Sequence, residues 1–560
     1  MTLSITQYLA YGRRIIAMVA AATLWGMAVA AIDSAESPPA LLGSASFIPS
    51  PERPVGWRGD GSGVFPGAGG LPTTWDIGAG TGVEWHVPMP GASSSGPIVV
   101  GDLVITQADP DWVMAFARTT GKEQWRTAVS DLAEDIRDKA GELSLLACTF
   151  RLRHEPTPAG TGLLDAMFPM KDGKRSDPHK LGANYADTWV CHATRSMPMP
   201  TSDGTGIYVV MPIGVVAKLD VQTGKVIWKN SIRPLGKIQV CSPLLVDGLL
   251  IMFQAKGSLG GPGSTRAWDA GSGSPAWTSD AIQASQWGSG SPVVMRLPGR
   301  TLGISGGGSV FDPRTGDIFL KHIGTHLDGG SPGIYGDVVI FGSHDHRWRL
   351  RSEAPAQEQE KEMERLRQEL DMSSKIPGER IIRLRSNDGK VEGAVIHHHP
   401  EEGRGGRWLQ AFISPLMHPN GCAYYASGDT RGIKIVVFDT RKNTVIQKLQ
   451  DDSIPLPGTD GPDGKAAANY CSPVATSDRF IFSRHGPMNP AGGNVITTFS
   501  IQPDGSLKKL DEAVMARHIG SPFACGEHLY VRSIEALWCL GADSGRAAPA
   551  AGPAPALGQE

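Results

Sequence analysis

The six residues TGVEWH, at positions 81–86, decide the fold of this chain of 560 residues. Close variants recur as TGKEQW at 120–125 and TGKVIW at 223–228. Each later copy follows a long stretch of strand-like sequence, whereas the first copy follows only an apolar leader and a Gly/Pro-rich stretch. The first copy therefore resembles the last strand of a repeat whose other strands lie elsewhere in the chain.

A second element, in which a proline follows a small residue or a methionine, recurs eight times. After each proline come a few apolar residues, a tight turn, an aliphatic or aromatic run, a third apolar run and a fourth strand. A unit of about 45 residues with four short strands is the signature of a propeller blade. The eight pairs are Gly96-Pro97, Met197-Pro198, Ser242-Pro243, Ser291-Pro292, Ser331-Pro332, Ser414-Pro415, Ser472-Pro473 and Ser521-Pro522.

The residue types at fixed positions of the unit fit this interpretation. Proline lacks an N–H group, so it suits the first residue of an inner strand. The third run often ends in aspartate, as at Asp220 and Asp439, where the carboxylate can accept from backbone amides two residues on. The composition of 70 glycines, 42 prolines and 19 % charged residues agrees with many short strands joined by turns.

These features resemble the PQQ-like propeller repeat family over about residues 56–545. The resemblance rests on WRGDGSG at 57–63, on LPTTWD at 71–76 and on the Ser-Pro units with their TGK-x-x-W ends. It implies an all-β ring of eight four-stranded blades. The family includes quinoprotein dehydrogenases, outer-membrane assembly lipoproteins and exported proteins of unknown activity.

The eighth unit explains the isolated TGVEWH. It begins at Ser521-Pro522, reaches its third strand at 536–540 and is followed by a turn and the sequence RAAPAAGPAPALGQE, with no fourth strand. We expect residues 82–88 to supply that strand, which would bury Trp85 and remove two exposed sheet edges. The predicted organisation is an export signal at 1–30, a linker at 31–55, one propeller at 56–545 with insertions at 130–190 and 343–379, and a disordered tail at 546–560.

The first residues and the net charge bear on localisation and partners. Two arginines precede the apolar run of residues 13–31, which ends in Ala28-Val29-Ala30, a small-x-small cleavage pattern. This predicts a cleaved export signal, with a retained membrane anchor as the alternative, and a periplasmic, envelope or secreted protein. The net charge of -3 leaves no basic field for nucleic acid.

The seven cysteines are odd in number and include no CxxC pair. Export permits disulfides without requiring them. Cys525 and Cys539 would form one if they lay on neighbouring strands; otherwise they are buried small hydrophobic residues.

Loop lengths distinguish the two faces of the predicted ring. With strands a to d numbered outward from the axis, the a–b and c–d turns share one face and are short. The b–c and d–a connections share the other face and contain the long segments 130–190, 343–379 and 450–470. Extra loops grouped on a rigid scaffold usually carry binding function. Residues 131–146 and 353–372 are predicted helices, and the second would either pack on the propeller or serve as a lid or partner-binding element.

Polar and aromatic residues also converge on this long-loop face, where the chain enters the inner strands near the axis. Such a set at one mouth is the usual sign of a binding site. The predicted ligand-binding residues are His192, Arg195, Gln239, Trp287, Asp328, Gln410, Asn469, Tyr470 and His518.

Two functions follow. The favoured one is a non-catalytic, exported scaffold that binds a protein, peptide or glycan through the long-loop face. The alternative, implied by the resemblance, is a PQQ- and Ca²⁺-dependent dehydrogenase of alcohols or sugars, in which Trp287 would stack on the quinone and Asp328 and Asn469 would face the cation. Adjacent cysteines, typical of the alcohol-oxidising members, and a CxxCH haem motif are absent from the sequence.

A metal site is a weaker candidate. His344 and His346 would share one face of an extended strand, and His397 and His399 follow the fourth strand of the same unit. Imidazole nitrogens favour Zn²⁺ or Cu²⁺.

Overall fold

A computed structural model describes most of the chain. The described residues are 39–148, 198–211, 214–232, 241–256, 261–282, 290–321, 323, 330–341, 378–400, 413–429, 432–451, 471–485, 493–518 and 520–541. The chain divides into two units, Met1–Ala40 and Leu41–Glu560, and everything below concerns the second.

The second unit is an eight-bladed β-propeller, and the all-β prediction is confirmed. Each blade is an antiparallel sheet of four strands that follow one another in the chain, except the last, whose order is β1-β32-β31-β30.

The strands have the following bounds. Blades 1 and 2 contain β2 (Ile98–Val100), β3 (Leu103–Ala108), β4 (Trp112–Ala117), β5 (Glu123–Ala128), β6 (Thr201–Ser202), β7 (Gly206–Met211), β8 (Val215–Asp220) and β9 (Val226–Ser231). Blades 3 and 4 contain β10 (Leu244–Val246), β11 (Leu249–Lys256), β12 (Gly261–Asp269), β13 (Pro275–Ser279), β14 (Val293–Leu297), β15 (Arg300–Ile304), β16 (Val310–Phe311) and β17 (Ile318–Leu320). Blades 5 and 6 contain β18 (Gly333–Tyr335), β19 (Val338–Phe341), β20 (Gly378–Asn387), β21 (Lys390–Pro400), β22 (Leu416–Met417), β23 (Cys422–Asp429), β24 (Gly432–Asp439) and β25 (Thr444–Asp451). Blades 7 and 8 contain β26 (Val474–Ala475), β27 (Arg479–His485), β28 (Asn494–Ile501), β29 (Leu507–Met515), β30 (Phe523–Cys525), β31 (His528–Arg532), β32 (Ala536–Leu540) and β1 (Val83–Pro88).

The predicted closure of the ring is confirmed. Strand β1 pairs antiparallel with β32, with Trp85 opposite Cys539 and Val87 opposite Leu537. The Trp85 side chain is only 4 % exposed. The beginning of the propeller therefore supplies the outer strand of its last blade.

Tryptophans at the outer strands join neighbouring blades. Each ring packs on a glycine of the next blade's c–d turn, where a Cβ atom would collide with the indole, and each Nε1–H donates to a carbonyl three residues before that glycine. The glycines have positive φ angles between 67° and 79°, which explains the residue type. The pairs are Trp85 with Gly121, Trp125 with Gly224, Trp228 with Gly273 and Trp277 with Gly316.

The serine of each Ser-Pro pair joins blades near the axis. The backbone N–H of Ser242 donates to Ser291 Oγ (3.1 Å), that of Ser331 to Ser414 Oγ (2.8 Å) and that of Ser414 to Ser472 Oγ (3.0 Å). All five side chains are buried. The recurrence of serine before proline thus has a cause beyond strand initiation: its hydroxyl is the acceptor for the preceding blade.

One repeat assignment was wrong. In blade 2 the inner strand begins at Thr201, directly after Pro200, so Pro200 and not Pro198 is the repeat proline. The Met199 N–H donates to Ser242 Oγ (2.9 Å), as the serines do in other blades. The Met199 side chain lies against Gly96, which also lacks the repeat serine, so the two departures from the pattern fill one space.

The a–b and c–d turns meet on one face, as predicted. The Arg118 N–H donates to Asp102 O (2.8 Å) in blade 1, and the Val221 N–H donates to Thr205 O (3.0 Å) in blade 2. The aspartates that end the third strands accept from the turn amides, as Asp220 does from Thr223 N (2.8 Å).

The two cysteines considered for a disulfide lie in the last blade. Cys525 and Cys539 are buried free thiols, and the disulfide alternative is wrong because β31 lies between their strands. Two strand spacings of about 4.8 Å exceed the Cα separation that a disulfide spans.

The helix predicted at 131–146 is α1 (Glu134–Cys148), and the one predicted at 353–372 lies outside the described residues. Among the described residues, no helix is both long and apolar enough to span a bilayer.

Candidate functional site

The N-terminal segment of the propeller, residues 41–66, fills one end of the central channel. Val55 pairs with Ser202 beside the inner strand of blade 2, and Val64 pairs with Ala475 in the inner strand of blade 7. On the a–b face, Gly43 O accepts from the N–H of Gly526 in the a–b turn of blade 8 (2.7 Å). The segment therefore enters the channel from the a–b face and lies against the inner strands of blades 2 and 7, which are three blades apart in the ring.

Arg58 of this segment bonds to two blades at once. Its guanidinium donates to Pro473 O (2.7 Å) and Pro415 O (3.3 Å), the carbonyls that directly precede two inner strands. Its side chain is fully buried, and this burial lowers the pKa of the Arg58 guanidinium to about 9. Arg58 thus closes the channel at the level of the serine contacts.

A cavity of about 430 Å³ lies on the a–b side, between this segment and the inner strands of blades 3 to 5. This volume is in the range of small-ligand pockets. The lining is largely apolar and includes the aromatic residues Trp57 and Tyr335. Asp60 and Arg296 contribute charges at its edge.

At the opposite, long-loop end, α1 is fixed over blade 1 and the loop that precedes its inner strand. Ser144 Oγ accepts from Ala92 N (3.0 Å). Arg137 Nε donates to Asp111 Oδ1 (2.8 Å), and both side chains of this ion pair are buried. The Asp111 carboxylate also accepts from Ser130 Oγ, so the helix is tied to the b–c loop of blade 1.

His518 is the one predicted ligand-binding residue that the structure describes. It is fully buried in the d–a connection between blades 7 and 8, and it pairs with Ser533 in the b–c turn of blade 8. Its Nδ1 lies 3.1 Å from Ala516 O. A carbonyl oxygen only accepts, so Nδ1 carries the proton and Nε2 presents a bare lone pair. That Nε2 is buried and has no hydrogen-bond partner among the described residues.

Burial also sets the charge of His518. Desolvation lowers its pKa to about 4, so the ring is neutral near pH 7. Asn494 fixes the backbone around it, because its Nδ2 donates to His518 O (2.9 Å). Cys471, whose Sγ lies 3.5 Å from the same carbonyl, has its pKa raised to about 12 by burial and is not a thiolate nucleophile.

The other predicted ligand-binding residues stay predictions, because they lie outside the described residues. They are His192, Arg195, Gln239, Trp287, Asp328, Gln410, Asn469 and Tyr470.

The histidines proposed for a metal site are equally untested. His344 and His346 lie outside the described residues, and only the backbone of His397 and His399 is described, within β21.

Sequence reasoning missed two features of the channel, Arg58 and the Ser-Oγ contacts. Both had a signal, since Arg58 lies in the WRGDGSG motif and the serines recur before proline. The sequence did not reveal their role, because neither signal shows that the N-terminal segment enters the channel.

The resemblance implies PQQ and Ca²⁺ as cofactors. In the described part of the chain, no group of three or more His, Cys, Asp or Glu residues is placed to hold a metal ion. Trp287, Asp328 and Asn469, which would hold PQQ and Ca²⁺, are outside it.

Comparisons with known proteins agree with the repeat. Residues 180–404 match the family model described as outer membrane protein assembly factor BamB. The match spans blades 2 to 5 and confirms the resemblance to PQQ-like propeller repeats. No curated protein matches the chain significantly.

Solved structures with a similar fold include two dehydrogenases and BamB. The quinohemoprotein alcohol dehydrogenase of Comamonas testosteroni is 10 % identical, with 86 % of this chain and 79 % of that chain covered and a TM-score of 0.47. BamB of Moraxella catarrhalis is 12 % identical, with coverage of 82 % and 99 % and a TM-score of 0.44. A europium-containing methanol dehydrogenase is 13 % identical, with coverage of 87 % and 91 % and a TM-score of 0.43. Likenesses of this level do not assign a function to this chain.

Proposed function

We propose that this chain, an eight-bladed propeller of PQQ-like repeats, is an exported, non-catalytic binding or scaffold protein of the periplasm or cell envelope. Its binding surface is the long-loop face around the central channel, and its partner is a protein, a peptide or a glycan. Nucleic acid is not a partner, and contact with a membrane would come only through an uncleaved leader.

The observation that carries this proposal is the closure of the channel by residues 41–66. The Arg58 guanidinium bonds to carbonyls at the inner strands of blades 6 and 7, and Gly43 of the same segment bonds to the a–b turn of blade 8. A partner that reaches the axis then approaches from the long-loop end, where α1 and His518 lie. Loops on a rigid scaffold are the usual carriers of such binding.

The buried groups at that end support binding over catalysis. His518 is neutral and enclosed, and Cys471 is a buried thiol with a raised pKa. Burial deprives both groups of the solvent access that a catalytic base or nucleophile needs. The described part of the long-loop end thus contains rigid polar anchors and no activated group.

Site-specific photo-crosslinking compares the two faces directly. Asp131, at the outer end of blade 1 on the long-loop face, and Asp102, in its a–b turn, are more than 90 % exposed and each forms a surface ion pair. A photoreactive amino acid at each position, in the full chain expressed with its leader in a bacterial host, forms a matched pair. We expect partner adducts from position 131 and not from position 102.

Two outcomes would reject the proposal. Adducts from position 102 alone would place the partner on the other face. Tight binding of PQQ with Ca²⁺, followed by dye-linked oxidation of an alcohol or sugar, would replace the scaffold with the dehydrogenase alternative. Deleting residues 353–372 adds a separate test, because unchanged adducts would exclude the predicted helix from the binding surface.

A further inference from the structure

The cavity on the a–b face is bordered by apolar side chains that nothing in the described structure covers. Leu41 and Ile48 are 55 % and 67 % exposed and are next in sequence to the lining residues Leu42 and Phe47. Tyr335, which also lines the cavity, is 44 % exposed. Isolated exposed hydrophobic residues need no explanation, but a group of them around a cavity marks a binding surface.

The walls of this cavity suit an extended, proline-containing peptide. Trp57 offers an indole N–H and Tyr335 a hydroxyl, between surfaces formed by Pro54, Pro243 and Pro292. A polyproline II segment has no internal hydrogen bonds, so all its carbonyls are available to such donors. Recognition of these segments in aromatic-lined grooves also costs little conformational entropy.

The sequence of this chain contains a segment of this kind. Residues 546–557 read RAAPAAGPAPAL, with prolines at 549, 553 and 555. The preceding described residue, Gly541, follows β32 and donates from its N–H to Gly82 O (3.1 Å), at the c–d turn of blade 8. The described part of blade 8 therefore ends, at Gly541, on the face that holds the cavity.

Chain length permits the contact. Gly43, beside the lining residue Leu42, bonds to the a–b turn of the same blade. From Gly541 to that turn is two strand spacings, about 10 Å. The residues from Gly541 to Pro555 reach about 43 Å at 3.1 Å per residue, which is enough to cross to that turn and enter the cavity.

We propose that the cavity between residues 47–62 and blades 3 to 5 is a docking site for a proline-containing extended peptide, and that its ligand is residues 546–557 of the same chain. The proline rings pack on the apolar walls, and Trp57 and Tyr335 donate to peptide carbonyls. The Arg546 guanidinium meets the carboxylate of Glu52 or Asp60, which line the cavity together with the cations Arg53 and Arg296. This site is independent of the long-loop face.

The test uses a fluorescently labelled peptide of residues 546–557 and the full chain. One variant, Pro549→Ala with Pro553→Ala and Pro555→Ala, disables the internal ligand. Because a tethered segment competes at millimolar effective concentration, we expect this variant to bind the peptide at least about tenfold more tightly than the unaltered chain. Adding Tyr335→Ala or Trp57→Phe should weaken binding to the variant by about tenfold.

Controls and contrary results are equally specific. Ile227→Ala in the triple variant alters a hydrophobic residue that is 52 % exposed on β9, away from the cavity, and should leave peptide binding unchanged. Equal binding to the triple variant and the unaltered chain, no binding to either, or indifference to Tyr335→Ala would overturn the proposal. A dimer of the unaltered chain that the triple variant abolishes would also overturn it, because the segment would then dock on a second copy.

Discussion

The substitution Trp85→Ala measures how much the closing strand stabilises the ring. Trp85 is 4 % exposed, packs on Gly121, lies 6.0 Å from the Tyr530 ring and donates to Arg118 O (3.0 Å). Removing a buried tryptophan costs about 3–5 kcal/mol. Trp85→Phe keeps most of the ring but leaves the Arg118 carbonyl without its donor, which costs about 1–3 kcal/mol. We expect unfolding free energies reduced in that order, measured by guanidinium titration followed by circular dichroism.

A matched substitution separates closure from the loss of a tryptophan. Trp125→Ala removes a ring with the same geometry, packed on Gly224 and bonded to Val221 O (3.0 Å), but it lies within blade 1. Both alanine variants should lose similar stability, because the buried areas are similar. Only Trp85→Ala should also accelerate amide exchange in β32, whose outer partner is β1. An unchanged unfolding midpoint for Trp85→Ala, or equal exchange in β32 for both variants, would refute the closure reasoning.

Three further predictions follow from the channel. Gly63 has a φ of 79°, and a Cβ there would collide with the Arg58 guanidinium, so Gly63→Ala should lower the free energy of unfolding by about 2–5 kcal/mol, measured by thermal melting. Its control is Gly248→Ala, where φ is 77° but the space is open, and where the loss should be only about 1–2 kcal/mol. Ser414→Ala leaves the buried Ser331 N–H without its acceptor and should cost about 1–3 kcal/mol, whereas Ser272→Ala in an exposed turn should cost less in the same denaturant titration. The pKa of His518 is lowered to about 4 in the folded chain, so the unfolded state binds more protons between that pH and about 6.5, and stability should fall by about 3 kcal/mol as pH drops through this window. His518→Gln should flatten that pH dependence in urea titrations at several pH values, and a profile identical to that of the unaltered chain would show that His518 is not its source.

Most of the fold could be predicted from the spacing of the sequence repeats. The eighth repeat unit has three strands, up to Leu540, and residues 81–86 read as a fourth strand without the other three. The pairing of β1 with β32 could therefore be predicted from the sequence. The error at Pro198 has a physical cause. Blade 2 has methionine in place of serine, and two prolines in MPMP satisfy the pattern equally; only the strand start and the Met199 contact with Ser242 distinguish them.

The site was less accessible than the fold. His518 could be placed near the axis from its spacing to Pro522, but its tautomer and lowered pKa depend on Ala516 and on burial by neighbouring blades. Arg58 could not be assigned to the channel, because residues 41–66 carry no strand pattern of their own. Their structure is imposed by blades 2, 7 and 8, which come later in the chain.

The closing strand also sets a schedule for folding. Val83 and its partner Leu540 are separated by most of the chain. At a synthesis rate of about 5–20 residues per second, β1 waits on the order of 20–90 s for β32 to exist. During that interval the Trp85 side chain can already contact blade 1, because Arg118, whose carbonyl accepts its hydrogen bond, is only 33 residues away. We therefore expect β1 to contact blade 1 before β32 has been synthesised. The slow, non-local pairing of β1 with β32 would then be the last step in closing the ring.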